Sequence, residues 1–171
     1  MRIAVLAPAY PSAERPHEYA FIHARTVLYA ARGHVVAVFV PGPPGERLVD
    51  GIPVTSGGRP ALISRIRAWR PDSLAVHAPS FRTMPVARQI DCRQVSWVHG
   101  HEALFSLRRV HYARGFAARA FKIFTLLPRN LWQLSLVRDF LRSQQSVVFV
   151  SEWMRRAAEA HTLRRYPQAA I

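Results

Sequence analysis

The densest group of chemically capable side chains is His99-Gly100-His101-Glu102. Histidine changes charge near neutral pH, so it can pass a proton, and a histidine at a strand end can donate to a sugar hydroxyl or a phosphate oxygen. Gly100 has no Cβ, which lets a ligand approach the backbone closely. His99 is therefore a candidate functional group, and Gly100, His101 and Glu102 are candidate substrate contacts. The same residues also fit a solvated loop with two ordinary histidines. A third option is an H-x-H metal pair, which needs further ligands, and His77 is the obvious one. His77 itself either lines a cleft or caps a sheet. A second group, Arg15, His17 and Glu18, surrounds an expected helix start, where backbone amides favour anions and Arg15 adds positive charge. Neither G-x-G-x-x-G nor G-x-x-x-x-G-K-[ST] occurs, so the usual dinucleotide and P-loop signals are absent.

The elements that must hold these residues follow from hydrophobic spacing. Apolar runs of strand length alternate with helix-period segments, the signature of a parallel α/β sheet. Strands are predicted at Arg2–Ala7, Val35–Val40, Ser73–His77, Gln94–Val98 and Ser146–Val150, with a short one at Ile52–Thr55. Helices are predicted over His17–Arg32 with Gly33 as the stop, around Leu62–Trp69 ending at Pro71, around Thr83–Ile90, and from Ser151 as N-cap to about Arg165. In such a sheet ligands bind beyond the carboxyl ends of the strands. The loops Pro8–Pro16, Ala78–Ser80 and His99–Glu102 are expected to meet there.

The expected fold is α/β, a Rossmann-like three-layer α/β/α sandwich with a mainly parallel sheet and a basic helical insertion, all in one domain over 1–171. Its 171 residues are too few for a (β/α)₈ barrel, which needs about 250. Half the residues are apolar and a fifth are charged, which suits a globular domain. Cys92 is alone, so no internal disulfide framework exists, and a reducing compartment is expected. The formal charge of +14 points to an anionic partner.

Much of that charge lies in Ala103–Arg142, where eight basic residues face one acid, Asp139. Two helical stripes are predicted there, separated by Pro128: Phe116, Ala120, Ile123, Phe124 and Leu127, then Leu131, Leu134, Val137 and Leu141, with Asn130 as a cap. The stripes are expected to pack in the core. The basic residues Arg108, Arg109, Arg114, Arg119 and Lys122 are expected to face an anionic membrane surface. Nucleic acid is not an expected partner, because no recognised module is present.

The order of several phrases carries a resemblance. Arg2-Ile3-Ala4-Val5-Leu6 leads through a proline-rich loop and a helix to Arg32-Gly33-His34-Val35-Val36. Arg70-Pro71-Asp72 precedes a strand ending in His77-Ala78. Trp97-Val98-His99-Gly100 follows, then Val148-Phe149-Val150-Ser151-Glu152-Trp153-Met154. The chain resembles the N-terminal half of family 4 glycosyltransferases, which have the two-domain glycosyltransferase B fold. The resemblance implies an acceptor-binding domain whose partner domain binds a nucleotide-sugar, in a retaining, metal-independent enzyme without other cofactors. It places His99 near the transferred sugar. The family's glycine pair in the first-strand loop is replaced by Pro11-Ser12-Ala13-Glu14-Arg15.

The expected function is the acceptor half of a hexosyltransferase acting on a glycan or lipid-linked cell-envelope acceptor. Its location is cytoplasmic, peripheral at the inner face of the plasma membrane. The donor-binding domain is expected in cis or on a partner chain, and these residues alone are expected to turn over little or nothing. Two alternatives stay open: a non-catalytic Rossmann-like module working with a partner subunit, and a small metal-dependent hydrolase using His77, His99 and His101.

Overall fold

A computed structural model describes residues 1–100, 102–104, 115–167 and 169–171, without the side chains of Ala118 and Lys122. The chain divides into two compact units, Met1–Trp97 and Val98–Ile171. In the first, β1 (Arg2–Leu6), β2 (Val35–Pro41), β4 (Ile52–Gly57), β5 (Ser73–His77) and β6 (Arg93–Val98, to Trp97 in this unit) run parallel, and β3 (Gly45–Val49) is antiparallel. Their order is β3-β4-β2-β1-β5-β6. β1 lies between β2 and β5, so the chain leaves it in opposite directions, which makes its carboxyl end a switch point.

Alternation along the strands gives the sheet two apolar faces. Val38 and Val40 share a core with Ile22 of α1 (Ala20–Ala31). Phe39, pointing the other way, meets Trp69 of α2 (Arg59–Trp69) edge-on at 6.2 Å. Helices on both faces make the first unit a three-layer α/β/α structure. Leu62 and Ile66 of α2 are fully buried, each worth about 1.5–3 kcal/mol of transfer free energy.

Gly33 stops α1 as expected. Its φ of 80° lets the His34 amide donate to the Tyr29 carbonyl and the Gly33 amide to that of Ala30, a Schellman closure. The helix begins at Ala20 rather than His17, because the Arg15 and Glu18 amides close turns to Ser12 and Arg15, Pro16 has no amide to give, and Tyr19 turns left-handed at φ 53°. The strand β3 was not expected. It pairs with β4 through Asp50-Gly51, both at positive φ (48° and 77°), which is the two-residue turn that D-G favours. Arg70-Pro71-Asp72 has a structural task. The Asp72 carboxylate accepts the Arg2 amide at 2.6 Å, and the Asp72 amide donates to the Arg2 carbonyl at 2.9 Å, closing the amino edge of β1 on β5.

The second unit contains α4 (Phe116–Arg142), β7 (Ser146–Phe149), α5 (Glu152–Thr162) and β8 (Ala169–Ala170), with β7 and β8 parallel. Ser151 caps α5 as expected, its Oγ accepting the Met154 amide at 3.1 Å. Two expectations need correction. First, α4 is one helix running through Pro128, with Asn130 inside it instead of capping a second. Proline removes one N–H and crowds the carbonyl four residues back. Here that carbonyl belongs to Phe124, which is 82% exposed, so water can take the vacated bond. Second, only the later stripe is core, and not all of it: Leu134, Val137 and Leu141 are buried but Leu131 is exposed, and in the earlier stripe Phe116 and Phe124 are more than 80% exposed. A 27-residue helix is about 40 Å long, and the 11-residue α5 about 16 Å, so α5 and the four-residue β7 can cover only part of it.

Candidate functional site

The loops after β1, β2, β4 and β5 converge at the carboxyl edge of the first unit, around a cleft of about 590 Å³. Pro8–Tyr10, Ser12, Glu14, Arg15 and Glu18 form one wall, and Val40–Pro43, Ser56, Arg47 and Arg82 form the others. The first-strand loop is pinned in several ways. The amide and hydroxyl of Ser12 both bond within the turn to Arg15, and Ser12 Oγ donates to Glu14 at 2.8 Å. That bond holds the Glu14 carboxyl below its ordinary range. Arg15 lines the cleft and pairs with Glu18 at 3.6 Å. His17 is exposed and is not among the lining residues.

Sequence reasoning missed three parts of this cleft. Arg47 Nη2 donates to the carbonyls of Tyr10 and Pro11, both at 3.2 Å. Arg82 Nη2 donates to the Pro41 carbonyl at 2.6 Å. Behind the loop runs a side-chain chain, with Tyr10 Oη 2.7 Å from His23 Nδ1 and His23 Nε2 2.9 Å from Asp50 Oδ2. Burial pushes the Tyr10 hydroxyl up from its ordinary pKa, and the nearby Asp50 carboxylate adds to the effect. The chain joins the cleft loop to α1 and the β3–β4 turn. The Asp50-Gly51 pair was the one sequence signal that pointed here.

His77 ends β5 fully buried, its ring stacked on Trp97 with centroids 5.7 Å apart and planes within 2°. The Arg25 guanidinium lies 3.7 Å from the Trp97 ring centroid. This geometry makes His77 part of a packed column beneath the strand ends, not part of the cleft wall.

In the second unit, the Glu102 carboxylate accepts the backbone amides of both His99 and Gly100, the latter at 3.1 Å. The Ala103 amide returns to the Gly100 carbonyl at 3.2 Å, and Gln133 of α4 donates to the Glu102 carbonyl at 3.3 Å. Glu102 is only 8% exposed, so these charge-assisted bonds hold the loop in one conformation. His99 and Gly100 are half-buried. A Cβ at Gly100 would meet no atom of the described residues within 4 Å. His101, Arg108, Arg109 and Arg114 lie outside the described residues, as does the side chain of Lys122. Arg119 is exposed on α4. Among the described residues no group of three or more His, Cys, Asp or Glu is placed to hold a metal, and no helix is long and apolar enough to cross a membrane.

The mainly parallel sheet, the flanking helices and a cleft at the strand carboxyl ends define a Rossmann-like α/β fold. The chain is similar to two solved enzymes: α,α-trehalose 6-phosphate synthase from Burkholderia multivorans (11% identity, TM-score 0.50) and α,α-trehalose-phosphate synthase (UDP-forming) from Burkholderia vietnamiensis (11% identity, TM-score 0.54). Each match covers 94% of this chain and 42% of the synthase, so the chain spans less than half the length of either. No family model matches the sequence, and no curated protein matches it.

Proposed function

We propose that these residues form the acceptor-side domain of a retaining, metal-independent glycosyltransferase that moves a sugar from a nucleotide-sugar to a glycan or lipid-linked envelope acceptor. The observation that carries this reading is the fold shared with two trehalose-phosphate synthases, one of them named as UDP-forming. The Glu102-clamped loop that presents His99 at the carboxyl end of β6 supports it. In this reading His99 contacts the transferred sugar. The leaving nucleoside diphosphate is stabilised electrostatically, the device with the largest effect in such sites. Glu102 acts by fixing the His99 and Gly100 backbone. The nucleotide-sugar is a co-substrate, and no other cofactor or nucleic acid takes part. The donor-binding domain is supplied in cis or by a partner chain, and the 171 residues alone turn over little or nothing.

The location follows from α4. Its first half exposes Phe116, Phe121 and Phe124 beside Arg119, a combination suited to peripheral binding at the inner, anionic face of the plasma membrane.

The test assays the native protein that carries these residues for nucleoside-diphosphate release. A panel of nucleotide-sugars is combined with a membrane-lipid extract and with soluble glycans. Turnover with retention at the anomeric carbon is expected, and His99→Ala should lower kcat by about 10²–10³-fold. Absence of turnover with every pair would overturn the transferase reading. An unaffected His99→Ala variant would remove His99 from the chemistry. Cosedimentation with phosphatidylglycerol vesicles should weaken in an Arg119→Glu, Phe124→Ser variant, and unchanged binding would remove the membrane part.

A further inference from the structure

We propose that the cleft of the first unit is built to take a phosphate-bearing ligand, held between Arg47 and Arg82. Three arginines and two glutamates line the cleft, and they are not equivalent. Arg15 is paired with Glu18, and the Glu14 carboxylate is bonded by Ser12 and fully solvated. Arg47 and Arg82 have no ion pair among the described salt bridges.

Each of these two is instead fixed by backbone carbonyls: Arg47 by Tyr10 and Pro11 on the first-strand loop, Arg82 by Pro41 at the end of β2. A carbonyl orients a guanidinium without neutralising it. The cation therefore keeps its charge, although Arg47 also feels the Glu14 carboxylate without pairing with it, and the donors not used on the carbonyls, the buried Arg47 Nε aside, remain for a ligand. A planar five-donor fork held this way suits the oxygens of a phosphate better than a single carbonyl or hydroxyl. The positions are also costly to hold without a purpose. An arginine restrained at the rim of an open cleft loses side-chain entropy, and neutral carbonyls return only a modest net gain.

Arg47 stands on β3, so the unexpected hairpin is what brings it to the cleft. The Tyr10–His23–Asp50 chain fixes the loop whose carbonyls orient it. The inference deepens the acceptor reading, and it rests on that reading for the word acceptor: the acceptor carries a phosphate monoester or diester.

The test uses the 171-residue chain and inorganic phosphate, with chloride added to hold ionic strength constant. Phenylglyoxal modification of arginines is mapped by mass spectrometry with and without phosphate. Arg47 and Arg82 should be protected, while exposed Arg59 and Arg165 should react equally in both conditions. Phosphate affinity measured by calorimetry should fall at least about tenfold in Arg82→Gln. If that variant does not fold, the protection pattern of the unaltered protein still decides.

Vesicles of phosphatidylglycerol give the second arm. If they protect the same two arginines, the source is a lipid headgroup; if only free phosphate does, it is a soluble phosphorylated sugar. Equal modification of all four arginines with and without phosphate would overturn the proposal. No turnover is read here, so failure of the transferase reading leaves a positive result standing. Transfer to an uncharged acceptor without phosphate protection would overturn this inference alone.

Discussion

Replacing Glu102 by Gln separates a residue that shapes the His99 loop from one that touches a ligand. The carboxylate offers one oxygen to the His99 amide and one to the Gly100 amide. A glutamine side chain has one oxygen and one NH₂, so in either orientation one of the two amides faces a donor. Hydrogen bonds to a charged partner are worth about 1.5–3 kcal/mol, and the surviving bond loses its charge assistance as well. Glu102 is 8% exposed, so water replaces little of the loss. The local cost should be about 2–4 kcal/mol, which raises the opening equilibrium of the loop roughly 30- to several-hundred-fold.

Amide hydrogen exchange at His99 and Gly100 reads that equilibrium directly and does not require the two units to unfold together. Both amides should exchange faster by that factor in Glu102→Gln, while Ala37, buried in β2, should be unchanged. Exchange within threefold of the unaltered protein, with acceptor binding weakened all the same, would refute the reasoning and return Glu102 to direct ligand contact.

Four further outcomes follow from the same geometry. Tyr10→Phe removes the hydroxyl from the His23–Asp50 chain and should cost about 1 kcal/mol, seen as faster amide exchange across residues 10–15. Gly51→Ala places a Cβ on a residue at φ 77° and should cost about 1 kcal/mol in denaturant titrations. Phe124→Ser should change stability by less than about 0.5 kcal/mol, whereas Leu134→Ala should cost about 2–5 kcal/mol, because the first side chain is in solvent and the second in the core. Hydrogen bonds from Arg155 and then Arg156 hold the Glu152 carboxyl down to about 2. A carboxyl depressed on folding stabilises the protein above its ordinary range and loses that contribution as pH falls toward 2, so Glu152→Gln should flatten the acid limb of stability below about pH 4.5.

The parallel strands were legible because a strand buried on both faces reads as an unbroken apolar run, as in Arg2–Leu6 and Ser73–His77. Caps were legible for a local reason: Ser151 and Gly33 act on amides within three to five residues of themselves. The cleft was legible only in its first-strand loop and Arg15; its other parts meet only after the strands pair. Tyr10 and His23 are 13 residues apart, His23 and Asp50 are 27, and Arg82 reaches a carbonyl 41 residues away. The stripe at Phe116–Leu127 misled for another reason. Helical periodicity reports that a face is apolar but does not say what covers it.

The sheet also sorts the phrases that carried the family resemblance. Residues at the amino edge, Arg2 and Asp72, spend their polar groups on each other and on the backbone. At the carboxyl edge of the first unit Arg47 and Arg82 bond the backbone with one nitrogen each, and within the second unit Glu102 bonds the His99 and Gly100 amides. The first arrangement satisfies itself, and the second leaves guanidinium nitrogens of both arginines without a hydrogen bond among the described residues. A strand in a parallel sheet directs its last residues into the loops where helices begin, so polar groups placed there can be held by the fold and still reach a ligand. That asymmetry is why two equally plain phrases in the sequence, Arg70-Pro71-Asp72 and His99-Gly100, divide into a structural clasp and a candidate site.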